Sequence, residues 1–386
     1  MTSHEPGSPS EERAPYQPTL RAMLLLEVPF EVKVSPDGSR IAINVRTTNW
    51  QDNRYDNVCH VRDLATGATY PINRAGSANQ VEWVDDQTLA LLKQGPGDAD
   101  KAQVLLYEGL VGEGWAVTDH KTGVEWFKPF AGGLLFRARH PERDEKKPRA
   151  NRYGRFTHFE QEESAAALYY VGLEEMRRYR AQVKAATEDE AKDLVPPVVE
   201  LSRLLPEPLS IQEVIPSPAG DALYFNCWPH DDLVYYRQTS SYRLKLDAGA
   251  ALAEQMKRDR AKKAEKKGES ASEAHDEEKE DLSYLGEIAR LTLPRAASIA
   301  AVSPDGRRLL LAYKERDDRM YTRQDLWIAG VDAAVQAPDT AAFLAAMRNI
   351  SAALDQEIMD GYWVESGIFV LYVDGVCQRV ARLGDD

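Results

Sequence analysis

Short apolar runs that flank polar turns recur along the chain. The clearest copy is VKVSPDGSRIAINV at 32–45, and the pattern returns as AAVSPDGRRLLLAY at 300–313 and, more weakly, as VIPSPAGDALYF at 214–225. In such a turn proline presets φ, aspartate bonds its own backbone, and glycine takes the positive φ that reverses the chain. Each copy therefore predicts a β-hairpin.

The spacing of these hairpins indicates a repeat. Ser35 and Ser217 lie 182 residues apart, or four units of 45.5, and Ser217 and Ser303 lie 86 apart, or two units of 43. Intermediate copies are visible at 81–83 (VEW, before LALLK) and at 124–126 (VEW, before GGLLFRAR). A unit of roughly 40–50 residues with four short strands is one blade of a β-propeller. The sequence thus predicts an all-β fold, a propeller of four-stranded blades.

About five and a half to six blades fit within a propeller domain at 18–386. Blade one has its third strand at 58–63, which an Asp-x-x-Thr-Gly turn closes. The sixth blade begins near Ile358, and its strands at 367–373 and 376–383 meet at an Asp-Gly pair, which is a strong hairpin signal. Because no strand that completes this blade comes before Asp386, we expect the propeller to be truncated in blade six.

Helical and charged segments interrupt the blade pattern. Residues 1–17 are polar, acidic and rich in proline, so we expect a disordered tail, followed at 18–27 by a short helix or leading strand that packs on the propeller. Residues 174–193 contain helix formers without Gly or Pro and predict one exposed helix. Residues 248–281 hold a basic run and then an acidic run, which predicts a charged, solvated insertion.

Composition limits the partners and the compartment. The chain of 386 residues has a net charge of -14 and a pI of about 5.1, so it repels phosphate backbones and anionic lipids. We therefore expect no nucleic-acid partner and no membrane partner. The three cysteines, Cys59, Cys227 and Cys377, are scattered and form no CxxC pair. Together with the absence of a secretory signal pattern, this favours a reducing, cytoplasmic location.

The sequence carries no recognisable catalytic or metal-binding motif. A serine nucleophile elbow needs Gly-x-Ser-x-Gly, and the nearest string, GESAS at 268–272, lacks the second glycine. The seven histidines form no metal-binding spacing, and HFE at 158–160 is interpreted as a solvated strand edge. The glycines at 109, 112 and 114 lack the GxGxxG spacing of a dinucleotide loop. We assign no catalytic, metal or cofactor residue, expect no cofactor, and leave the substrate-binding residues unknown.

Large aromatic and basic side chains recur at blade positions. Four tryptophans are expected to pack between blades: Trp83, Trp126, Trp327 and Trp363. Four arginines flank the blade-three loop, where a solvated position is favoured over one that faces the channel or a hydrolase: Arg137, Arg139, Arg152 and Arg155. Neither set is assigned a binding role.

The order of the motifs resembles a known family. The SPDG hairpins and the DLATG turn at 63–67 are followed by DLWIAGV at 325–331 and DGVCQRVAR at 374–382. This order is similar to the N-terminal propeller of the prolyl oligopeptidase family of serine peptidases, and most similar to its acylaminoacyl-peptidase branch. The resemblance covers 18–386 and implies a seven-bladed propeller over an α/β-hydrolase domain, with substrates filtered by size. No such hydrolase domain lies within these 386 residues.

Two functions follow as hypotheses. In the first, the chain is the non-catalytic propeller part of a prolyl oligopeptidase-like serine peptidase, inactive alone, which gates peptide substrates for the hydrolase domain. In the second, it is a stand-alone, TolB-like propeller that acts as a protein-interaction scaffold. The first hypothesis implies a peptide substrate and a hydrolase domain as partners. The sequence is also compatible with a homo-oligomer.

One pair of adjacent glutamates also resembles a motif found in this family. Glu174-Glu175 resembles the glutamate pair with which dipeptidyl-peptidase relatives hold the free amine of a substrate. The flanking residues VGL and MRRY do not match that motif. An ordinary position on a charged helix is therefore the favoured interpretation.

Overall fold

The structure is a computed structural model that describes eight segments of the chain. They are residues 18–73, 77–94, 101–140, 166–206, 209–229, 238–246, 286–315 and 322–384. The tail at 1–17 and the charged insertion at 248–281 lie outside the described residues. Two compact units are distinguished, one formed by 1–94 with 105–115 and the other by 95–104 with 116–386.

Six antiparallel sheets follow one another along the described chain. Sheet 1 comprises β1 (Val28–Val34), β2 (Arg40–Asn49), β3 (Arg54–Asp63) and β4 (Thr69–Pro71), and sheet 2 comprises β5 (Ala78–Asp85), β6 (Thr88–Gln94), β7 (Ala102–Glu108) and β8 (Trp115–Ala116). Sheet 3 comprises β9 (Trp126–Phe130), β10 (Gly133–Arg139), β11 (Ala166–Gly172) and β12 (Val198–Glu200), and sheet 4 comprises β13 (Ser210–Pro216), β14 (Ala222–Trp228), β15 (Ser240–Leu246) and β16 (Gly286–Leu291). Sheet 5 comprises β17 (Ser298–Val302), β18 (Arg308–Tyr313), β19 (Asp325–Gly330) and β20 (Arg348–Asn349), and sheet 6 comprises β21 (Ile358–Val364), β22 (Gly367–Asp374) and β23 (Cys377–Leu383).

This succession confirms the predicted all-β propeller. In every sheet the strands are ordered as they occur in the sequence, which is the pattern of a propeller blade. Sheets 1 to 5 have four strands, and sheet 6 has three. The strands predicted in the last blade are confirmed as β22 and β23, with Gly375 at φ +62° in the turn between them.

The Ser-Pro-x-Gly hairpins form as predicted. In the first, the Ser35 hydroxyl donates to Asp37 Oδ1 at 2.6 Å and accepts from the Arg40 backbone N–H at 3.0 Å. The turn glycines of the three copies, Gly38, Gly220 and Gly306, have φ of +72°, +72° and +71°. Hydrogen bonds from Ser35 and Ser39 lower the pKa of Asp37 to about 2. Side-chain bonds therefore close the turn together with the glycine, which helps to fix the register of the two strands.

A β-bulge recurs in the first strand of five sheets. The register shifts between Pro29 and Glu31 in β1, and a shift of the same kind occurs in β5, β13, β17 and β21. A bulge leaves one residue outside the ladder, and its peptide group needs another partner. In sheets 2 and 5 a buried asparagine of the preceding sheet contacts the backbone beside the bulge.

Five α-helices accompany the sheets in the described segments. They are α1 (Leu20–Leu24), α2 (Leu173–Ala185), α3 (Glu188–Asp193), α4 (Val331–Gln336) and α5 (Thr340–Ala346). Helices α4 and α5 both lie between β19 and β20 of sheet 5. None of these helices has both the length and the apolarity that a bilayer-spanning helix needs.

Two expectations about the helical segments are wrong. The single exposed helix at 174–193 is in fact two helices, because Thr187 begins α3 with a capping box, and α2 buries Leu173, Glu175 and Met176. At 18–27 the helix α1 forms and its Leu24 carbonyl accepts a hydrogen bond from Thr48 of β2, but the expected packing of its side chains on the propeller is absent, since none of them is buried.

Apolar clusters fill the spaces between successive sheets within each unit. In the first unit one cluster joins residues of sheets 1 and 2, among them Cys59 and Leu91. In the second unit separate clusters lie between sheets 3 and 4, between sheets 4 and 5, and between sheets 5 and 6. Strand β11 is buried on both faces along its whole length, and its sequence is accordingly a nearly continuous apolar run.

Candidate functional site

The four repeating tryptophans pack between sheets, as predicted. Trp83 is 8% exposed, and its indole N–H donates to the Lys33 carbonyl of the neighbouring sheet at 3.0 Å. Trp363 is equally buried, between sheets 5 and 6. Trp126 and Trp327 are partly buried against the clusters between sheets 3 and 4 and between sheets 4 and 5. These residues therefore support the fold rather than a binding surface.

The two described arginines of the blade-three set lie on a strand rather than in the loop, and the predicted solvated position is wrong for Arg137. Arg137 and Arg139 belong to β10, and both pair with Glu125, at 2.9 Å and 2.8 Å. The Arg137 side chain is 13% exposed. Arg152 and Arg155 lie outside the described residues. Arg137 and Arg139 thus hold the segment before β9.

The glutamates at the start of α2 have different surroundings. Glu174 is exposed and pairs with Arg178 on the next turn of the helix. Glu175 is 7% exposed and folds over Gly172, where an added Cβ would lie 2.3 Å from its carboxylate. The two side chains therefore do not resemble a pair that is presented jointly to a substrate amine.

Three of the seven histidines fall within the described residues. The His120 ring lies 4.9 Å from that of Tyr169, and its Nδ1 is 2.9 Å from Thr122 Oγ1. Burial, with a smaller contribution from His140, lowers the pKa of His120. His60 lies in β3 and His140 follows β10. Within the described segments no three His, Cys, Asp or Glu side chains are grouped to hold a metal ion. The GESAS and HFE strings lie outside those segments.

Charged side chains occupy the first strands of sheets 1 and 2. Strand β1 carries Glu31 and Lys33, and β5 carries Glu82. Lys33 Nζ lies 2.8 Å from Glu82 Oε1 and 4.0 Å from Glu31 Oε1. Burial raises the pKa of Glu31, and Lys33 and a hydrogen bond from Asn44 offset that shift only in part. The first unit thus presents two carboxylates and one ammonium group close together.

The first strands of the second unit carry a similar set. Lys128 in β9 donates to the Val214 carbonyl at 3.1 Å. Asp360 in β21 accepts from the hydroxyl of Tyr362, and this bond together with burial raises the pKa of Tyr362 to about 12. Glu213 in β13 reaches solvent, yet the surrounding protein atoms and nearby Asp360 raise its pKa. Carboxylates of this kind can pair with ammonium or guanidinium groups, and the lysines with carboxylates.

One of these glutamates belongs to a polar contact that joins two sheets. In β14 the Asn226 side chain donates to Glu213 Oε2 at 3.2 Å and to the Ile299 carbonyl of sheet 5 at 3.0 Å. Its Oδ1 accepts from the Ile299 N–H at 3.2 Å and from the Ser241 hydroxyl at 3.0 Å. Asn226 is 3% exposed, so all its hydrogen-bonding capacity is used inside the protein.

The same arrangement occurs in sheet 1 with fewer bonds. Asn44 donates to the Ala78 carbonyl of sheet 2 at 2.9 Å, and Glu31 accepts from the Val81 N–H at 3.0 Å. Asn44 Oδ1 is buried without a hydrogen-bond partner among the described residues. Neither pair was predicted from the sequence. The spacing could have indicated them, because Glu31 and Asn44 are 13 residues apart, and so are Glu213 and Asn226.

We expect Glu31→Gln to become more stable relative to the wild type as the pH rises. A pKa raised above its ordinary value of 4.5 means that folding favours the protonated carboxyl, so this contribution is complete below about pH 4.5 and is lost above it. Glutamine avoids the loss, and its amide can donate to Asn44 Oδ1. Urea midpoints measured at about pH 4 and about pH 8 test this.

The exposed Glu27→Gln is the matched control, because Glu27 is a surface residue of the same unit. If the difference between Glu31→Gln and the wild type does not grow with pH, or grows equally in the control, burial does not govern the ionisation of Glu31.

Comparison with known proteins bears on the fold. No family model and no curated protein matches the chain. Among solved structures, acylaminoacyl peptidase from Pyrococcus horikoshii matches 93% of this chain and 45% of its own, with a TM-score of 0.54 and 14% identity. The β-propeller domain of the Trilobed protease from Pyrococcus furiosus matches 93% of this chain and 82% of its own, with a TM-score of 0.52 and 11% identity. The fold is a β-propeller like theirs.

A prolyl endopeptidase adds a third example. It matches 92% of this chain and 41% of its own, with a TM-score of 0.51 and 10% identity. This chain therefore spans less than half the length of the acylaminoacyl peptidase and of the prolyl endopeptidase that it matches. The propeller that the sequence resemblance implied is confirmed at the level of the fold.

Proposed function

We propose that this propeller is the non-catalytic part of a prolyl oligopeptidase-like serine peptidase. In this proposal it gates and selects peptide substrates for an α/β-hydrolase domain that is encoded in the same reading frame beyond these residues. The observation that carries the proposal is the fold match, over 93% of this chain, to less than half of a longer acylaminoacyl peptidase. Since a fold does not determine a function by itself, the side chains of the first strands provide further support.

These side chains suit a peptide better than a polyanion. Each unit offers carboxylates together with a lysine, at Glu31, Glu82 and Lys33 in the first and at Glu213, Asp360 and Lys128 in the second. A peptide carries both an ammonium and a carboxylate group, whereas a nucleic acid carries only negative charge. A reducing, cytoplasmic setting is part of the proposal, and the three cysteines, which form no disulfide, support it.

Residues 1–386 alone are expected not to hydrolyse acyl-peptide or aminoacyl chromogenic substrates, because no activated serine is visible in the sequence. The longer product, translated in frame beyond the codon for Asp386, is expected to hydrolyse short acyl peptides but not a folded protein. A serine-directed reagent should abolish its activity. Chromophore release by the two products, each at equal concentration, is the measurement.

Two results would count against the proposal. Turnover by residues 1–386 alone, abolished by a serine-directed reagent, would place the catalytic centre within this chain. A stop codon directly after Asp386, with a soluble product, would overturn the peptidase proposal and favour a stand-alone, TolB-like scaffold.

A further inference from the structure

Two neighbouring side chains on one face of sheet 4 carry hydrogen-bond donors without acceptors. Arg243 in β15 lies opposite Tyr224 of β14 in the antiparallel ladder. The Arg243 Nε–H is buried and has no hydrogen-bond partner among the described residues. The Tyr224 hydroxyl also makes no hydrogen bond within the described segments, although this side chain is only 2% exposed. Such donors are unusual, because nearly all buried polar groups in proteins are paired.

The next row of the same face is fully paired. Asn226 lies opposite Ser241, two residues along from Tyr224 and Arg243, and the Ser241 hydroxyl donates to Asn226 Oδ1 at 3.0 Å. Asn226 also bonds the N–H and the carbonyl of Ile299 in sheet 5. The row of Tyr224 and Arg243 therefore differs from its neighbour, whose polar groups are satisfied within the protein.

The row of Tyr224 and Arg243 faces sheet 5 and helix α4. Tyr224 belongs to the apolar cluster between sheets 4 and 5, whereas the residues on either side of Arg243 belong to the cluster toward sheet 3. Because side chains alternate along a strand, Arg243 projects on the same side as Tyr224. The Thr292 N–H donates to the Ala334 carbonyl at 2.7 Å, which holds α4 against the end of β16. Both donors thus lie in the space between sheet 4 and α4.

The charges around this row favour an anion of low charge. No ion pair joins Arg243 to a carboxylate in the part of the chain that the structure describes. Burial raises the pKa of Tyr224, the nearby Arg243 guanidinium offsets part of this shift, and Asp221 and Asp332 add to it. Both aspartates are exposed. An anion that pairs with Arg243 therefore also experiences the repulsion of two carboxylates, which increases with its own charge.

The shape of the guanidinium group matches a planar carboxylate. The Nε–H and one Nη–H of an arginine point in parallel and can donate to both oxygens of one carboxylate. In Arg243 the Nε–H is the donor that lacks an acceptor, and the Tyr224 hydroxyl can donate a third bond from the adjacent strand. A phosphate offers similar oxygens, but its higher negative charge is repelled more strongly by Asp221 and Asp332.

We propose that Arg243 and Tyr224 form a binding site for a carboxylate group in the space between sheet 4 and helix α4. The carboxylate accepts from the Nε–H and one Nη–H of Arg243 and from the Tyr224 hydroxyl, so the donors that now lack an acceptor are satisfied. The group belongs either to a small carboxylic acid or to the carboxyl end of a peptide, which present the same two oxygens. The inference is independent of the proposed function, because it rests on side chains of sheet 4.

NMR spectroscopy of the arginine side chains tests this site. The chain of 386 residues is isotopically labelled at arginine Nε and titrated with sodium acetate, with sodium chloride keeping the ionic strength constant. Arg243→Lys identifies the Arg243 signal by its loss, and it retains the positive charge and the aliphatic stem. Arg290 is the matched control, identified through Arg290→Lys, because it is an exposed arginine on β16 of the same sheet, opposite Tyr242.

Acetate is expected to shift the Arg243 Nε–H signal along a curve that saturates. The dissociation constant should be on the order of 1–10 mM, as for a single bidentate contact in a partly buried site. The Arg290 signal should show no saturating shift. Tyr224→Phe removes the third donor and should weaken acetate binding by about three- to tenfold, whereas Arg290→Lys should leave the affinity unchanged.

Acetylated diglycine and its amide distinguish the two sources of the carboxylate. Saturation by the acid but not by the amide would support the site and identify the carboxyl end of a peptide as its ligand. Saturation by acetate without any response to the acetylated peptide would support the site and identify a small carboxylic acid.

Three results would count against the proposal. An Arg243 signal that shifts linearly with acetate, in parallel with that of Arg290, would overturn the site and leave water as the acceptor. Tighter saturation by inorganic phosphate than by acetate would overturn the carboxylate assignment. An unchanged acetate affinity in Tyr224→Phe would overturn the role of the Tyr224 hydroxyl.

Discussion

Asn226→Leu is expected to lower the free energy of unfolding by roughly 3–6 kcal/mol, since each buried polar group left unsatisfied costs about 1–3 kcal/mol. Leucine has a similar volume but cannot bond the Ile299 N–H, the Ile299 carbonyl or the Ser241 hydroxyl, all of which now contact the Asn226 side chain. The loss is a large part of the roughly 5–15 kcal/mol by which folded proteins are stable. The urea midpoint, followed by circular dichroism, measures it.

Asn44→Leu is the control for this prediction. It occupies the corresponding place in sheet 1, but the partner it would leave in the next sheet is the Ala78 carbonyl alone, and its own Oδ1 is already without a partner in the described structure. The expected cost is therefore smaller, about 1–2 kcal/mol. A midpoint for Asn226→Leu that equals that of Asn44→Leu would show that the contact between sheets 4 and 5 does not depend on this amide.

Asn226→Asp distinguishes the bonds from the shape of the side chain. Aspartate keeps the acceptor for the Ile299 N–H and loses the donor for the Ile299 carbonyl. It also places a second carboxylate beside Glu213, whose pKa is already raised by its surroundings. The destabilisation should consequently increase as the pH rises and carboxylates ionise.

The propeller could be predicted because each repeat contains a turn whose conformation is determined by the residues of the turn itself. Ser-Pro-x-Gly determines a hairpin whatever the sheet packs against, since the serine, aspartate and glycine act within one turn, as at Ser35, Asp37 and Gly38. Three such turns at matched spacing were therefore enough to predict the blades. The packing of the tryptophans was predicted from the same repeat, although Trp83, Trp126 and Trp363 lie in the first strands of their sheets and Trp327 lies in a third strand.

Contacts between sheets could not be predicted from the same pattern. Asn226 and Ile299 are 73 residues apart, and nothing local to either residue indicates that the bulge of one sheet meets the asparagine of another. Helix α1 illustrates the same difficulty. The apolar run at 23–26 needs a surface to pack against, but a local pattern does not identify which part of the protein provides that surface. The expected packing of these side chains on the propeller was therefore wrong.

Gly133→Ala is expected to destabilise the protein by about 3 kcal/mol or more, at the upper end of what an overpacked core costs. Gly133 begins β10, and a Cβ added there would lie 2.4 Å from the Val171 carbonyl oxygen and 2.5 Å from the Tyr170 ring. The Val171 oxygen is backbone in β11, a strand buried along its whole length, so it cannot move without disturbing the sheet. Tyr170 is also fixed, because its hydroxyl donates to the Ala131 carbonyl at 2.9 Å.

The neighbouring glycine separates this clash from backbone strain. Gly132 has φ of +72° with nothing within 4 Å of an added Cβ, so Gly132→Ala meets open space and costs about 1–2 kcal/mol for its left-handed conformation alone. Gly133→Ala should therefore lower the urea midpoint clearly more than Gly132→Ala does. The reverse order would mean that β11 yields to the added methyl group, and that the positive φ of the turn rather than the close contact between strands is what requires glycine in this hairpin.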